Sequence, residues 1–178
     1  MRGKTIVSTT TNGTRALRAC VGAKTILASS FLNLTATAEF LRQNHFENIL
    51  LVCAGTGENQ ADEDVLAAGA LIELLARWGE TPGEPVFADR NHGSRGRSPH
   101  QSDHELSDSS QIARQAWLEA KPNLALAVGK SENARRLLAI PELRDDVAFC
   151  LQRDVFPLVA RMRAAGEICG IENDADPA

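Results

Sequence analysis

Short, wholly apolar runs alternate along the first half of the chain with stretches in which apolar residues recur every three or four positions, and polar segments separate them. Thr5 to Ser8, Thr25 to Ala28 and Ile49 to Ala54 read as strands, because they are brief and rich in β-branched or bulky apolar residues. Thr14 to Cys20 reads as a helix with Ala16, Leu17 and Cys20 on one face, ended by Gly22. Leu34 to Gln43 and Asp62 to Trp78 read as a second and a longer third helix. Strands that lack polar alternation suit a sheet covered on both faces. The expectation is therefore an α/β fold: three-layer α/β/α with a largely parallel or mixed sheet.

The pattern changes after Gly79, where prolines, glycines and the polar run Asn91 to Arg97 predict a long flexible loop at 80–108. Helical spacing returns at Ser109 to Ala120, and Ser131-Glu132-Asn133 opens another helix that stops before Pro141. Asp146 to Leu151 and Phe156 to Arg161 read as closing strands, with Pro157 marking an edge. Residues 1–171 are expected to form a single α/β domain and 172–178 a frayed tail.

Composition narrows the partners. The chain has 178 residues, 43% hydrophobic and 24% charged, with a net charge of −4. That suits one globular domain and argues against nucleic acid or an anionic membrane as a partner, since each needs a basic face. No signal peptide or membrane span is evident, so a cytoplasmic protein is expected. Cys20, Cys53, Cys150 and Cys169 are far apart, which suits reduced core thiols better than disulfides or zinc ligands.

Three polar loops follow the three expected strands, where an open α/β sheet binds ligands. The first, Thr9 to Arg15, combines threonine hydroxyls, a glycine and an arginine at a helix start, and Thr11, Asn12, Gly13, Thr14 and Arg15 are candidates for holding a phosphate. A simple turn with a capping threonine is the competing explanation. In the second, Ser29, Ser30 and Asn33 either start a helix or meet the ligand, and Asn33 is the better candidate because an amide both donates and accepts. The third runs from Gly55 to Gln60 and leads into Asp62, Glu63 and Asp64. Acids there favour the helix dipole whatever else they do. They also suit Mg2+, which is commonly held by one or two carboxylates and substrate oxygens, and Asp64 is preferred over Glu63.

Other phosphate chemistries lack their residues. Gly55-Thr56-Gly57 has no third glycine of a dinucleotide fingerprint, and no Gly-Lys-Ser/Thr forms a nucleotide loop. No arginine closes a loop behind Cys53, which is expected in the core. His92, His100 and His104 fall in the expected flexible loop, and His45 sits at a helix end.

Thr-Thr-Asn-Gly-Thr-Arg-Ala at 10–16, Ser-Phe-Leu-Asn at 30–33, and Leu-Val-Cys-Ala-Gly-Thr with Glu-Asp and Ala-Ala-Gly-Ala at 51–70 together resemble the 2-phosphosulfolactate phosphatase family. The likeness continues more weakly through Ser131-Glu132-Asn133 and Asp146 to Cys150 as far as Pro157. It implies an α/β, Mg2+-dependent hydrolase that converts a small phosphorylated sulfonate, 2-phosphosulfolactate, to 3-sulfolactate and phosphate, a step toward coenzyme M. Carried over by motif, Thr11, Asn12, Gly13, Thr14 and Asn33 would bind substrate. Arg15 and Asp64 would be catalytic, and Asp64 and Glu63 would face the metal.

Members of the family ordinarily carry a further amino-terminal segment with an Asp-Val-Leu-Arg-Ala turn and a Gly-Glu-Arg stretch, and this sequence contains neither. The chain is thus expected to correspond to the carboxyl-terminal part. An apolar edge left exposed there would favour a homodimer. The alternative function is a truncated or diverged protein that binds a small anion without turning it over.

Overall fold

The computed structural model describes residues 7, 9–77, 106–163 and 168–172. The expected loop at 80–108 lies almost wholly outside them, as do most of the first expected strand and residues 173–178. The described elements run α1 (Gly13–Ala19), β1 (Leu27–Ala28), α2 (Leu34–Gln43), α3 (Asp62–Arg77), α4 (Asp108–Ala120), α5 (Leu124–Val128), α6 (Glu132–Leu138), α7 (Arg144–Cys150), β2 (Leu158–Met162) and β3 (Ile168–Glu172).

The core is built by helix periodicity. On α2, Leu34, Ala38 and Leu41 are buried, and on α3, Leu66 and Ala70 face the same interior. Phe31 and Trp117 join them with ring centroids 5.7 Å apart. Complete burial of a side chain such as Leu34 stabilises the fold by about 1.5–3 kcal/mol. Helix α4 packs along α3, and contacts advance in the same sense on both: Gly69 lies against Ala113 and Trp117, and Glu73 pairs with Lys121 at 3.1 Å. The approach at Gly69 leaves no room for a side chain. A Cβ there would stand 2.0 Å from the Ala113 carbonyl oxygen and 2.8 Å from the Trp117 Cβ.

Polar side chains set several helix starts. Ser107 Oγ accepts the Ser110 N–H at 3.3 Å, Asn123 Oδ1 the Leu126 N–H at 3.1 Å, and buried Ser131 Oγ the Ala134 N–H at 3.1 Å. Asp154, at φ 56°, accepts from the Thr35 N–H at 2.7 Å and hydroxyl at 2.9 Å, pinning the approach to β2 onto the start of α2.

The protein mixes helices with a sheet, but the described sheet is not the one expected. Its three strands lie in the order β1-β2-β3 and both pairings are antiparallel, Leu27 opposite Arg161 and Leu158 opposite Glu172. A largely parallel sheet between two helical layers is therefore not seen among the described residues. Ile49 to Ala54 is the reason. It has a strand's alternation, with Ile49 and Leu51 packed on the core while Leu50 is 86% and Val52 47% exposed, yet it forms no ladder with any described strand. A cleft of about 130 Å³, lined by Leu27, Thr37, Leu41, Ile49, Leu51 and Leu71 among others, lies along its flank toward β1. Alternation makes a segment fit for a sheet, but only a partner's N–H and C=O groups make it a strand.

The second correction concerns Asp146 to Leu151, which is the end of a helix rather than a strand. The half-buried positions there are Leu143, Val147 and Leu151, four residues apart, while Phe149 is exposed. Asp145 and Asp146 lie in the first turn of α7, where its dipole favours acids. The other expected helices match closely, the bounds of α2 coincide with those expected, and α5 is an unexpected addition. Cys53 also departs from expectation, since it is exposed, as is Cys150.

Candidate active site

Two of the three polar loops meet. In the first, the Thr14 N–H donates to Thr10 Oγ1 at 3.0 Å, and the Thr14 hydroxyl donates to the Thr10 carbonyl. These two bonds, both donated by Thr14 to Thr10, turn the chain into α1 and occupy the hydroxyl of Thr14 locally. A Cβ at Gly13 would press to 3.1 Å from Thr10 Oγ1, so a side chain there would need that hydroxyl to give by a few tenths of an ångström. Thr11 and Arg15 are exposed, and Asn12 points away toward the third loop.

The third loop is a tight hairpin. Thr56 and Asn59 exchange backbone hydrogen bonds of 2.9 and 3.1 Å, with Gly55 at φ 68° and Gly57 at φ 62°. Side chains rarely adopt that backbone, and at Gly55 a Cβ would also fall 2.7 Å from the Asn59 carbonyl oxygen. Asn12 Oδ1 accepts the Gly57 N–H at 3.1 Å, and Arg15 pairs with Glu58 at 3.2 Å. These two contacts fasten the first loop to the third.

The first turn of α3 completes the cluster. Asp64 Oδ2 accepts the Gly55 N–H at 2.8 Å, so the acid is tied to the hairpin as well as to its helix. Burial pushes the Asp64 carboxyl above the usual carboxylate range; N–H donors from Gly55 and Ala54 oppose the rise, and the nearby Glu63 charge adds to it. The Cys53 thiol, exposed but partly shielded from water, is likewise pushed up, first by that partial desolvation and then by Asp64. Glu63 turns the other way, where its Oε1 accepts from Asn133 Nδ2 at 2.9 Å. Its Oε2 is buried and lacks a hydrogen-bond partner, an arrangement that costs free energy unless a ligand completes it.

Asn33 is not part of this cluster. It is buried, with Nδ2 donating to the carbonyls of Ala28 at 3.2 Å and Leu158 at 3.4 Å, while Oδ1 accepts the Ser30 N–H at 2.9 Å. Its amide brackets the end of β1 to the start of β2. Glu58 and Asn133 are the members that sequence reasoning did not single out. Asn133 had a faint signal in the Ser131-Glu132-Asn133 stretch, and Glu58 had none beyond its place in the loop.

The cluster offers exposed hydroxyls and a guanidinium on one side and two neighbouring carboxylates on the other. Among the described residues no group of three or more His, Cys, Asp and Glu side chains is arranged to hold a metal alone. Asp64 is the acid that faces the hairpin, and a hard cation such as Mg2+ ordinarily needs only one or two carboxylates, keeping waters and taking further oxygens from a substrate phosphate.

The sequence model of the 2-phosphosulpholactate phosphatase family matches residues 1–165. The chain belongs to this family. It is similar to a Thermotoga petrophila protein named "Probable 2-phosphosulfolactate phosphatase", with 35% identity over 158 residues, 88% of this chain and 56% of that protein. A Thermotoga maritima protein of the same name is 34% identical over the same shares. One from Caldicellulosiruptor saccharolyticus is 46% identical over 77 residues, 41% of this chain and 32% of that protein. The chain thus spans little more than half the length of the Thermotoga relatives. No helix among the described residues is long and apolar enough to cross a membrane.

Proposed function

We propose that the chain contributes to a Mg2+-dependent phosphatase acting on a small phosphorylated sulfonate, converting 2-phosphosulfolactate to 3-sulfolactate and phosphate in the cytoplasm. The observation that carries this is the joining of the anion loop to Asp64 through Asn12–Gly57 and Gly55–Asp64. Around such a site, the three-layer architecture with a mixed sheet would arise once Ile49 to Ala54 gained strand partners.

Thr11, Asn12, Gly13 and Thr14 are assigned to substrate binding, through the exposed Thr11 hydroxyl and the backbone around Gly13, with Thr14 fixing the turn by its bonds to Thr10. Arg15 turns from Glu58 to the phosphoryl oxygens. That exchange costs little, because the two side chains are 63% and 88% exposed and such pairs contribute at most about 1 kcal/mol. Asp64 and Glu63 are assigned to Mg2+, with Asp64 also orienting the attacking water. The water oxygen bonds to phosphorus as the ester oxygen leaves, and a proton ends on that oxygen to give the hydroxy acid. Bound Mg2+ would neutralise charge on the phosphoryl oxygens, the usual source of most catalysis in phosphoryl transfer.

The purified protein, incubated with 2-phosphosulfolactate, is expected to release phosphate with Mg2+ and to stop with excess EDTA. One other reading is capture of the anion without turnover. Heat of binding for 3-sulfolactate with no phosphate release at any Mg2+ concentration would replace the phosphatase by that reading. Neither binding nor release would remove both.

A further inference from the structure

We propose that the Asn12 side chain is a positioning group, which keeps the anion loop in register with Asp64 while the substrate occupies Arg15. This rests on the phosphatase proposal and gives one amide oxygen a role distinct from contact with the substrate. Asn12 stands at the N-cap of α1, where an asparagine ordinarily accepts an N–H from the first turn of its own helix. It makes no such bond. Thr10 Oγ1 takes the Thr14 N–H instead, and Asn12 Oδ1 accepts the Gly57 N–H at 3.1 Å, 45 residues along the chain.

Gly57 passes that hold onward. It lies in the hairpin closed by the Thr56–Asn59 bonds of 2.9 and 3.1 Å, and two residues before it Gly55 donates to Asp64 Oδ2 at 2.8 Å. The path from the anion loop to the carboxylate thus runs through backbone alone between Gly57 and Gly55. Arg15–Glu58 is the other tie between the two loops among the described residues, and it is given up when Arg15 turns to the phosphoryl oxygens. Asn12–Gly57 is then the bond that remains. Its loss should therefore matter more in turnover than in the resting protein. The bond is exposed, so unfolding should move little, whereas a misplacement of about 1 Å at a reacting group can cost about 100-fold in rate.

Serine and aspartate cap helices about as well as asparagine, but of the two only aspartate keeps an oxygen with the reach of Oδ1. Asn12→Ser and Asn12→Ala should each lower kcat for phosphate release from 2-phosphosulfolactate by roughly 10- to 100-fold. Both should also speed hydrogen exchange at the Gly57 amide, followed by NMR. Asn12→Asp should restore the Gly57 protection and most of the lost kcat, while its charge raises KM for the anionic ester. Urea unfolding of all three variants reports whether the fold is kept. A merely structural tie would shift unfolding and leave kcat unmoved in the Ser and Ala variants, which overturns the positioning role while the phosphatase proposal stands. So does an Asp variant that keeps Gly57 protected yet loses as much kcat as Asn12→Ala, since the Nδ2 end would then be a substrate ligand. No phosphate release by the unaltered protein with Mg2+ present overturns both.

Discussion

Gly69→Ala tests the packing that carries the acid pair. In an exposed helix this change should stabilise by about 1 kcal/mol, because alanine has the higher helix propensity. At this position the new methyl would stand 2.0 Å from the Ala113 carbonyl oxygen, 2.7 Å from its carbon and 2.8 Å from the Trp117 Cβ. Ordinary contact needs more than 3 Å, so α3 and α4 must part by about 1 Å, and gaps of that size forfeit a quarter to a half of the dispersion energy of the atoms lining them. Leu66, Ala70 and Trp117 belong to that interior. Overpacking of this kind costs about 1–3 kcal/mol, occasionally more. Rigid backbone is the closest obstacle, so the upper part of the range applies, and after subtracting the propensity gain a net loss of about 2 kcal/mol is expected. Urea unfolding followed by circular dichroism and by tryptophan fluorescence would measure it. Gly57→Ala is the control: nothing lies within 4 Å of its added Cβ, so only the φ 62° backbone is penalised, by about 1–2 kcal/mol. A Gly69→Ala protein as stable as the unaltered one would refute the close approach of the two helices.

Three further outcomes are expected. Asp64 has a raised folded-state pKa, so its favourable contribution is complete below the unfolded value and is lost as pH rises through the folded value; in metal-free buffer Asp64→Asn should gain stability relative to the unaltered protein over that window. Urea unfolding from pH 3 to 7 checks this, and a pH-independent difference would contradict it. Asn33→Ala should destabilise by about 0.5–1.5 kcal/mol, because it removes hydrogen bonds to part-buried backbone groups of Ser30 and Ala28; unchanged unfolding with weakened substrate binding would instead place Asn33 at the ligand. Glu58→Gln should alter stability by less than about 1 kcal/mol while strengthening phosphate binding at Arg15, and weakened binding would mean the pair orients the arginine rather than competes for it.

The helices were legible because their signals are local. Leu34, Ala38 and Leu41 repeat at helix spacing, and Asp62 to Asp64 announce the start of α3. Strand assignment failed where it depended on partners: Ile49 to Ala54 has the right composition, but a ladder requires a second segment that no local pattern specifies. Asp146 to Leu151 failed for a different reason. Its apolar cluster drew attention from the fourfold spacing of Leu143, Val147 and Leu151. Within the site, the convergence of the Asn12 and Gly55 loops was foreseeable from the placement of polar loops. The Asn133–Glu63 bond was not, because it depends on how α6 settles against α3. Asn33 shows the ambiguity of a conveniently placed amide, which serves backbone and ligand with the same atoms.

The Arg15–Glu58 pair has a consequence for how capture of an anion responds to its medium. A guanidinium that begins free gains an ion pair when phosphate arrives, and that gain shrinks as ionic strength rises. Arg15 begins paired, 3.2 Å from Glu58, so capture replaces one anionic partner with another. Ion pairs at Arg15 are equal in number before and after, and dissolved electrolyte weakens both sides of the exchange. The protein should therefore take up a phosphate ester with a shallower ionic-strength dependence than its exposed arginine alone would suggest.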